Sequence, residues 1–272
     1  VKYDPFDTEF SFSNEPSPKV FENDNAHSYF AASVKGFEIK ESIPKIKDRL
    51  LKCGIKSINN VVDISNYVML EMGQPTHFFD KAKLGEVALE VKFARDKDKI
   101  ALLDKTTKEL ESSILVISNS GVPVALAGVM GGEESAISNA TTEAILESAV
   151  FKREDVRKTI RVTGIRTESA VRYEKGLDSH SSIPVINRAL ELLKENGCPK
   201  LTASKPAGFE HKKEKQEIKT TFTFLNAKLG TIFEKKVIVD ILQRLGFHVS
   251  TKEADLVVIV PVYRPNYDIT IE

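Results

Sequence analysis

Ser57-Ile58-Asn59-Asn60-Val61-Val62-Asp63-Ile64-Ser65-Asn66-Tyr67-Val68-Met69-Leu70-Glu71-Met72-Gly73-Gln74-Pro75-Thr76-His77-Phe78-Phe79-Asp80 decides how the chain is read. Ile64, Val68 and Met72 recur every four residues, which stacks them on one face of a helix. Asn59 or Asn60 can cap its first N–H groups, Gly73 can take the left-handed turn that ends it, and Pro75 cannot continue it. A short extended piece follows and carries His77 beside two phenylalanines. Asp63, Ser65, Asn66 and Gln74 crowd the same segment, more polar groups than a plain core helix needs.

Working outward, Lys19 to Lys40 holds alternating, aromatic-rich stretches that suit strands. Ser42 is expected to cap a helix with Pro44 in its first turn, Ile43, Ile46 and Leu50 on its inner face and Gly54 as its stop. Val87, Leu89, Val91 and Phe93 alternate as in a half-buried strand. Asp104-Lys105-Thr106 reads as a turn, and Asn119-Ser120-Gly121 as the tip of a hairpin. Ala144 to Ala149 reads as a buried strand with one carboxylate, Glu147, at its middle. A charged helix spans about 152 to 162 and ends at Gly164. A further helix spans 179 to 196, with Ile183, Ile186, Leu190 and Leu193 facing inward.

The chain has 272 residues, 41% of them hydrophobic, enough for one large and one smaller domain. Residues 1–18, with Pro5, Pro16 and Pro18, read as a loosely held lead-in. Lys205-Pro206-Ala207-Gly208 and the lysine-rich run from His211 to Lys219 read as a linker. The expected division is therefore 1–207 and 208–272. The second part reads as strand, two helices and a strand pair, a winged-helix-like arrangement. The fold class is α+β: a β-rich mixed α/β domain followed by a small winged-helix-like α+β domain.

The 39 basic and 39 acidic residues cancel, so contact with a nucleic acid would need a local patch. The lysine run is interrupted by Glu214 and Glu217 and reads as solvated linker, which leaves Arg161, Arg166 and Arg172 as candidates for touching RNA or forming ion pairs. Cys53 and Cys198 are expected to be reduced, buried thiols of a cytoplasmic protein. No apolar run reaches the length of a membrane span, no signal-peptide plan opens the chain, and the absence of an initial Met suggests a piece of something longer.

Glu147 is the group hardest to explain structurally, because a carboxylate buried without a partner costs several kcal/mol, roughly. It needs a partner or a cleft. Gly128-Val129-Met130-Gly131-Gly132 lacks the lysine and hydroxyl of a P-loop and the spacing of a dinucleotide fingerprint, so by itself it is a tight turn. No catalytic triad or metal-ligand cluster is evident.

Residues 59–80 resemble the editing-domain segment of the bacterial-type phenylalanyl-tRNA synthetase beta chain. Three collinear stretches agree: Pro123 to Gly132, Ile145 to Ala149 and Gly164 to Gly176. The likeness extends over nearly the whole chain. It implies an editing, tRNA-binding domain that hydrolyses the ester of misacylated Tyr-tRNA(Phe), followed by the family's small domain. It implies that His77 and Glu147 recognise the tyrosine hydroxyl, with Gly128 in the pocket wall near the substrate backbone. Ser65, Asn66, Thr167 and Ser169 would line the pocket and position the attacking water. No general base and no metal ligand are assigned.

Ser169-Ala170 departs from the family's usual Ala-Ser order. The resemblance implies no cofactor in this fragment; ATP and magnesium serve aminoacylation by the parent enzyme, whose alpha chain carries that reaction. Its implied partners are tRNA(Phe) and that alpha chain, in the cytoplasm and away from membranes. A non-catalytic scaffold and an RNA-binding module are the alternatives.

Overall fold

The protein is described by a computed structural model over residues 7–211, 216–261 and 264. It divides into two compact units between His211 and Lys212. In chain order the first unit has strands β1 (Lys19–Phe21) and β2 (Ala26–Lys35), helices α1 (Pro44–Lys52) and α2 (Asn60–Met72), strand β3 (Thr76–Asp80) and the single turn α3 (Lys81–Leu84). Strands β4 (Ala88–Phe93), β5 (Lys99–Ala101), β6 (Thr107–Glu109), β7 (Leu115–Asn119), β8 (Val122–Leu126), β9 (Met130–Gly131) and β10 (Glu143–Phe151) come next. Helices α4 (Arg153–Thr163), α5 (Glu168–Tyr173) and α6 (Ser182–Glu195), then strands β11 (Thr202–Ala203) and β12 (Ala207–Glu210), complete the unit.

One sheet has the order β1-β4-β7-β8-β9; the other has the order β11-β2-β10-β3, with β12 also paired to β2. Strand β10 is central to the second sheet and explains its own apolar run. Its Ile145, Ala149 and Phe151 join a core shared with Leu89, Val91, Leu115 and Ile117 of the first sheet. Its Ala144 and Leu146 join a second core with Ile46 and Leu50 of α1, Ile64 and Val68 of α2, and Ile186 and Leu190 of α6. A strand covered on both faces has no reason to alternate apolar with polar residues. The layers are therefore sheet, sheet and helices.

Local signals set the ends of α2 as expected. The Asn59 side chain accepts from the N–H groups of Val61 and Val62, and Gly73 ends the helix at φ 76°. The β7–β8 turn places Ser120 and Gly121 at φ 50° and 89°, the left-handed pair that a two-residue hairpin favours.

Five expectations change. Ser42 does not cap α1: Ile43 occupies that position without a side-chain bond, and the Ser42 hydroxyl donates to Asp63 Oδ2 at 2.6 Å. Asp63 also accepts from Ser57 Oγ and the Ile58 N–H, so its carboxylate ties α1, the connecting loop and α2 together. Ile183 is 39% exposed, because the inner face of α6 is carried by Val185, Ile186, Ala189, Leu190 and Leu193. Cys53 is exposed at the end of α1, whereas Cys198 is buried. Phe10 and Phe12 pack on the second core and Ser13 hydrogen-bonds Ala203, so residues 7–18 are docked rather than loose. Residues 207–210 are a strand on β2, which puts the division at 211 rather than 207. Of the lysine-rich run, Lys212, Lys213, Glu214 and Lys215 lie outside the described residues.

The second unit has β13 (Glu217–Thr221), α7 (Phe222–Leu229), α8 (Lys235–Arg244), β14 (His248–Lys252) and β15 (Asp255–Ile259), with sheet order β13-β15-β14. Phe222, Ile238, Phe247, Leu256, Val258 and Val260 form its own core. The chain as a whole is α+β. Among the described residues no helix is long and apolar enough to cross a membrane, and no cluster of three His, Cys, Asp or Glu could hold a metal.

Candidate functional site

In the register of β3 against β10, His77 stands directly opposite Glu147. Side chains so paired leave the same face of the sheet, here the face toward the other sheet. A cleft between the sheets receives both. His77, Glu147, Gly128, Gly131, Ser169 and Tyr173 line it, and Ile117, Ala125 and Leu126 of the first sheet form its apolar side. Its volume is about 60 Å³. That is room for ordered water between the sheets.

His77 Nε2 and Glu147 Oε2 are both buried without a hydrogen-bonding partner. Burial pushes the Glu147 carboxyl up to about 8 and the His77 imidazole down to about 4. Each is pushed toward its uncharged form, since a site this dry penalises charge. At neutral pH the pair is then a carboxylic acid facing a neutral imidazole. Both can still donate and accept. The imidazole meets the edge of Phe79, with ring centroids 4.5 Å apart and planes at 78°.

The glycine turn earns its composition here. A Cβ on Gly131 would lie 2.5 Å from His77 Cε1 and 2.8 Å from Nε2, so only a bare backbone leaves room for the ring. Gly128, at φ 70°, would bring a Cβ to 3.0 Å from Phe151 and Tyr173. Tyr173 is fixed in turn, since its hydroxyl donates to the Ala149 carbonyl at 2.9 Å. Gln74 donates to that carbonyl at 2.6 Å and accepts from Ser181. The polar crowding around Gln74 and Asp63 is therefore structural.

The structure brings together His77, Glu147, Gly128 and Ser169. Ser65, Asn66 and Thr167 are not among the lining residues. Ser65 donates to the Thr76 carbonyl at 2.7 Å, one residue from His77, and Asn66 is half-buried on α2. The Thr167 hydroxyl caps α5 by accepting from the Ala170 N–H and donates to the Val129 carbonyl at 2.7 Å. Ser169 points its hydroxyl toward Met69 Sδ at 3.8 Å, a weak contact, while Ala170 is fully buried. Arg166 pairs with Glu174 and Arg172 with Glu168. Sequence reasoning passed over Gly131 and Tyr173; the first was legible as part of the glycine turn, the second only as one apolar position among many.

A family model described as "B3/4 domain" matches residues 25–198, and one described as "tRNA synthetase B5 domain" matches 218–272. The phenylalanine–tRNA ligase beta subunit of Leptospira interrogans serogroup Icterohaemorrhagiae serovar Lai (strain 56601) is 55% identical over 276 residues, covering 100% of this chain and 34% of that protein. The beta subunit of Listeria innocua serovar 6a is 38% identical over 252 residues, covering 92% of this chain and 31% of its own. The crystal structure of an N-terminal fragment of the phenylalanyl-tRNA synthetase beta subunit from Pyrococcus horikoshii aligns over 95% of this chain and 72% of its own, at 14% identity and a TM-score of 0.45. The chain spans about a third of the length of the curated relatives it matches.

Proposed function

The chain belongs to the B3/4 domain family, and from that premise and the geometry of the cleft we propose that it is the editing part of a phenylalanine–tRNA ligase beta subunit, hydrolysing Tyr-tRNA(Phe). The observation that carries the reading is His77 facing Glu147 across β3 and β10 with Nε2 and Oε2 unpaired. A pocket selective for phenylalanine rejects an added hydroxyl by only about a hundredfold. A second site that hydrogen-bonds the hydroxyl exploits the opposite asymmetry: its buried polar groups stay unsatisfied when phenylalanine enters.

Tyrosine would donate its phenolic proton to Glu147 and accept from the His77 Nε2–H. The cleft lining contains no lysine or arginine. Developing negative charge on the tetrahedral carbon's oxygen would then be met by backbone N–H groups and by the Ser169 hydroxyl, with a positioned water as nucleophile. Ser65, Asn66 and Thr167 would support that water from outside the lining. The parent enzyme would use ATP and magnesium to charge tRNA(Phe) together with an alpha chain, in the cytoplasm.

The test is deacylation of Tyr-tRNA(Phe) and Phe-tRNA(Phe) by wild type and Glu147→Ala. Loss of a hydrogen bond to an uncharged carboxyl lowers the Tyr-over-Phe rate ratio by roughly twofold to tenfold, and His77→Ala acts in the same direction. A ratio unchanged in Glu147→Ala removes Glu147 from the filter. A wild-type chain that binds tRNA without hydrolysis favours the RNA-binding module.

A further inference from the structure

The core between the two sheets holds a third polar atom without a hydrogen-bonding partner, the phenolic oxygen of Tyr29 on β2. Tyr29 is completely buried. It stands opposite Ala149, and Ala31, two residues on, stands opposite Glu147. Residues two apart on a strand share a face, so Tyr29 and Glu147 leave the same face as diagonal neighbours, with Cβ atoms roughly 7 to 8 Å apart. A phenol and a glutamate span that gap readily. Tyr173, the other buried phenol near Glu147, already has the Ala149 carbonyl as its acceptor.

A phenol buried without a partner is unfavourable, and so is a carboxyl. The two are complementary, donor to acceptor. The groups around Glu147 are His77 from β3, Tyr29 from β2, and Ser169 and Tyr173 from α5, with no cation among the cleft residues.

Building on the hydroxyl-filter reading, we propose that Tyr29 is a positioning residue for Glu147: its hydroxyl donates through one ordered water to Glu147 Oε2 and holds the carboxyl in place to read the substrate hydroxyl. Burial and then the nearby Glu147 hold the Tyr29 phenol well above its ordinary range, so it remains a donor wherever the protein is folded. Tyr29 touches no substrate in this arrangement. It fixes which way the acceptor points.

The experiment uses the whole chain carrying ¹³C-labelled glutamate and follows the Glu147 carboxyl resonance through a pH titration in wild type and Tyr29→Phe. Deacylation of Tyr-tRNA(Phe) and Phe-tRNA(Phe) is measured beside it. Removing a donor to the carboxyl disfavours the ionised form, so the Glu147 titration moves to higher pH in Tyr29→Phe. The Tyr-over-Phe rate ratio falls by roughly threefold to tenfold. A Glu147 titration identical in the two proteins overturns the proposal, whatever the rates. If wild type hydrolyses neither tRNA, the editing reading fails, while the titration still decides the link between Tyr29 and Glu147. Should Tyr29→Phe not fold, the hydroxyl-bearing ring carbon of Tyr29 is compared in wild type and Glu147→Ala: a displaced resonance supports the contact, and an unmoved one overturns it.

Discussion

Glu147 and His77 show how one environment moves two groups in opposite directions. The carboxyl titrates near 8 in the folded chain against 4.5 ordinarily, so the folded form keeps a proton that the unfolded form releases. Its contribution is complete below about pH 4.5 and is lost as pH rises toward 8. The imidazole titrates near 4 against 6.5, so its contribution is complete above 6.5 and is lost as pH falls toward 4. The two slopes oppose each other between 4.5 and 6.5, and only the Glu147 slope acts from 6.5 to 8. Denaturant unfolding across that upper window should show stability falling in wild type and a flatter curve in Glu147→Gln; equal slopes would contradict the placement of the carboxyl. Gly131 offers a second handle on the same pair. Its φ is not in the left-handed region, so Gly131→Ala adds no backbone strain: the new methyl presses chiefly on the His77 ring and more lightly on Leu103 Cδ1, at 3.2 Å. The expected cost is about 1 to 3 kcal/mol, with a displaced His77 ring resonance as its signature.

At the scale of elements, α2 and β3 act as one device that presents His77. Asn59 starts the helix, Gly73 ends it, and Pro75 releases the chain into the strand that pairs with β10. Asn59→Ala leaves the Val61 and Val62 N–H groups without their acceptor and should cost about 0.5 to 2 kcal/mol in a chemical melt. A loss within error would mean that water or another group replaces the cap. Strand β10 is the other half of the device. Both of its faces are covered around Glu147, which is why that carboxylate, in the middle of an apolar run, stood out in the sequence.

For the whole molecule, the decisive observation is that each compact unit has its own apolar core. Leu256 is fully buried in the smaller one. Leu256→Ala should remove about 2 to 5 kcal/mol from that unit. Calorimetry is expected to show the smaller unit's transition moving down while the transition of the unit holding His77 and Glu147 stays in place. A common shift of all transitions would argue that the chain melts as a single cooperative body.

The sequence alone determined the features whose causes lie within a few residues: the start and stop of α2, the β7–β8 hairpin, the buried strand β10 and the glycine turn. Caps, turn conformations and runs of apolar residues act locally and need no partner from elsewhere. It also carried the likeness that singled out His77, Glu147 and Gly128. Only the tertiary structure decided that His77 faces Glu147, because register belongs to two strands at once and neither encodes it separately. It decided likewise that the Ser42 hydroxyl turns to Asp63, that Ile183 faces outward and that Ala207–Glu210 joins β2. It also closed the cleft to about 60 Å³ and left Tyr29 beside Glu147 without a partner. Each of these outcomes depends on what distant segments place alongside, and burial by distant segments is what gives a carboxyl, an imidazole and a phenol their unusual chemistry.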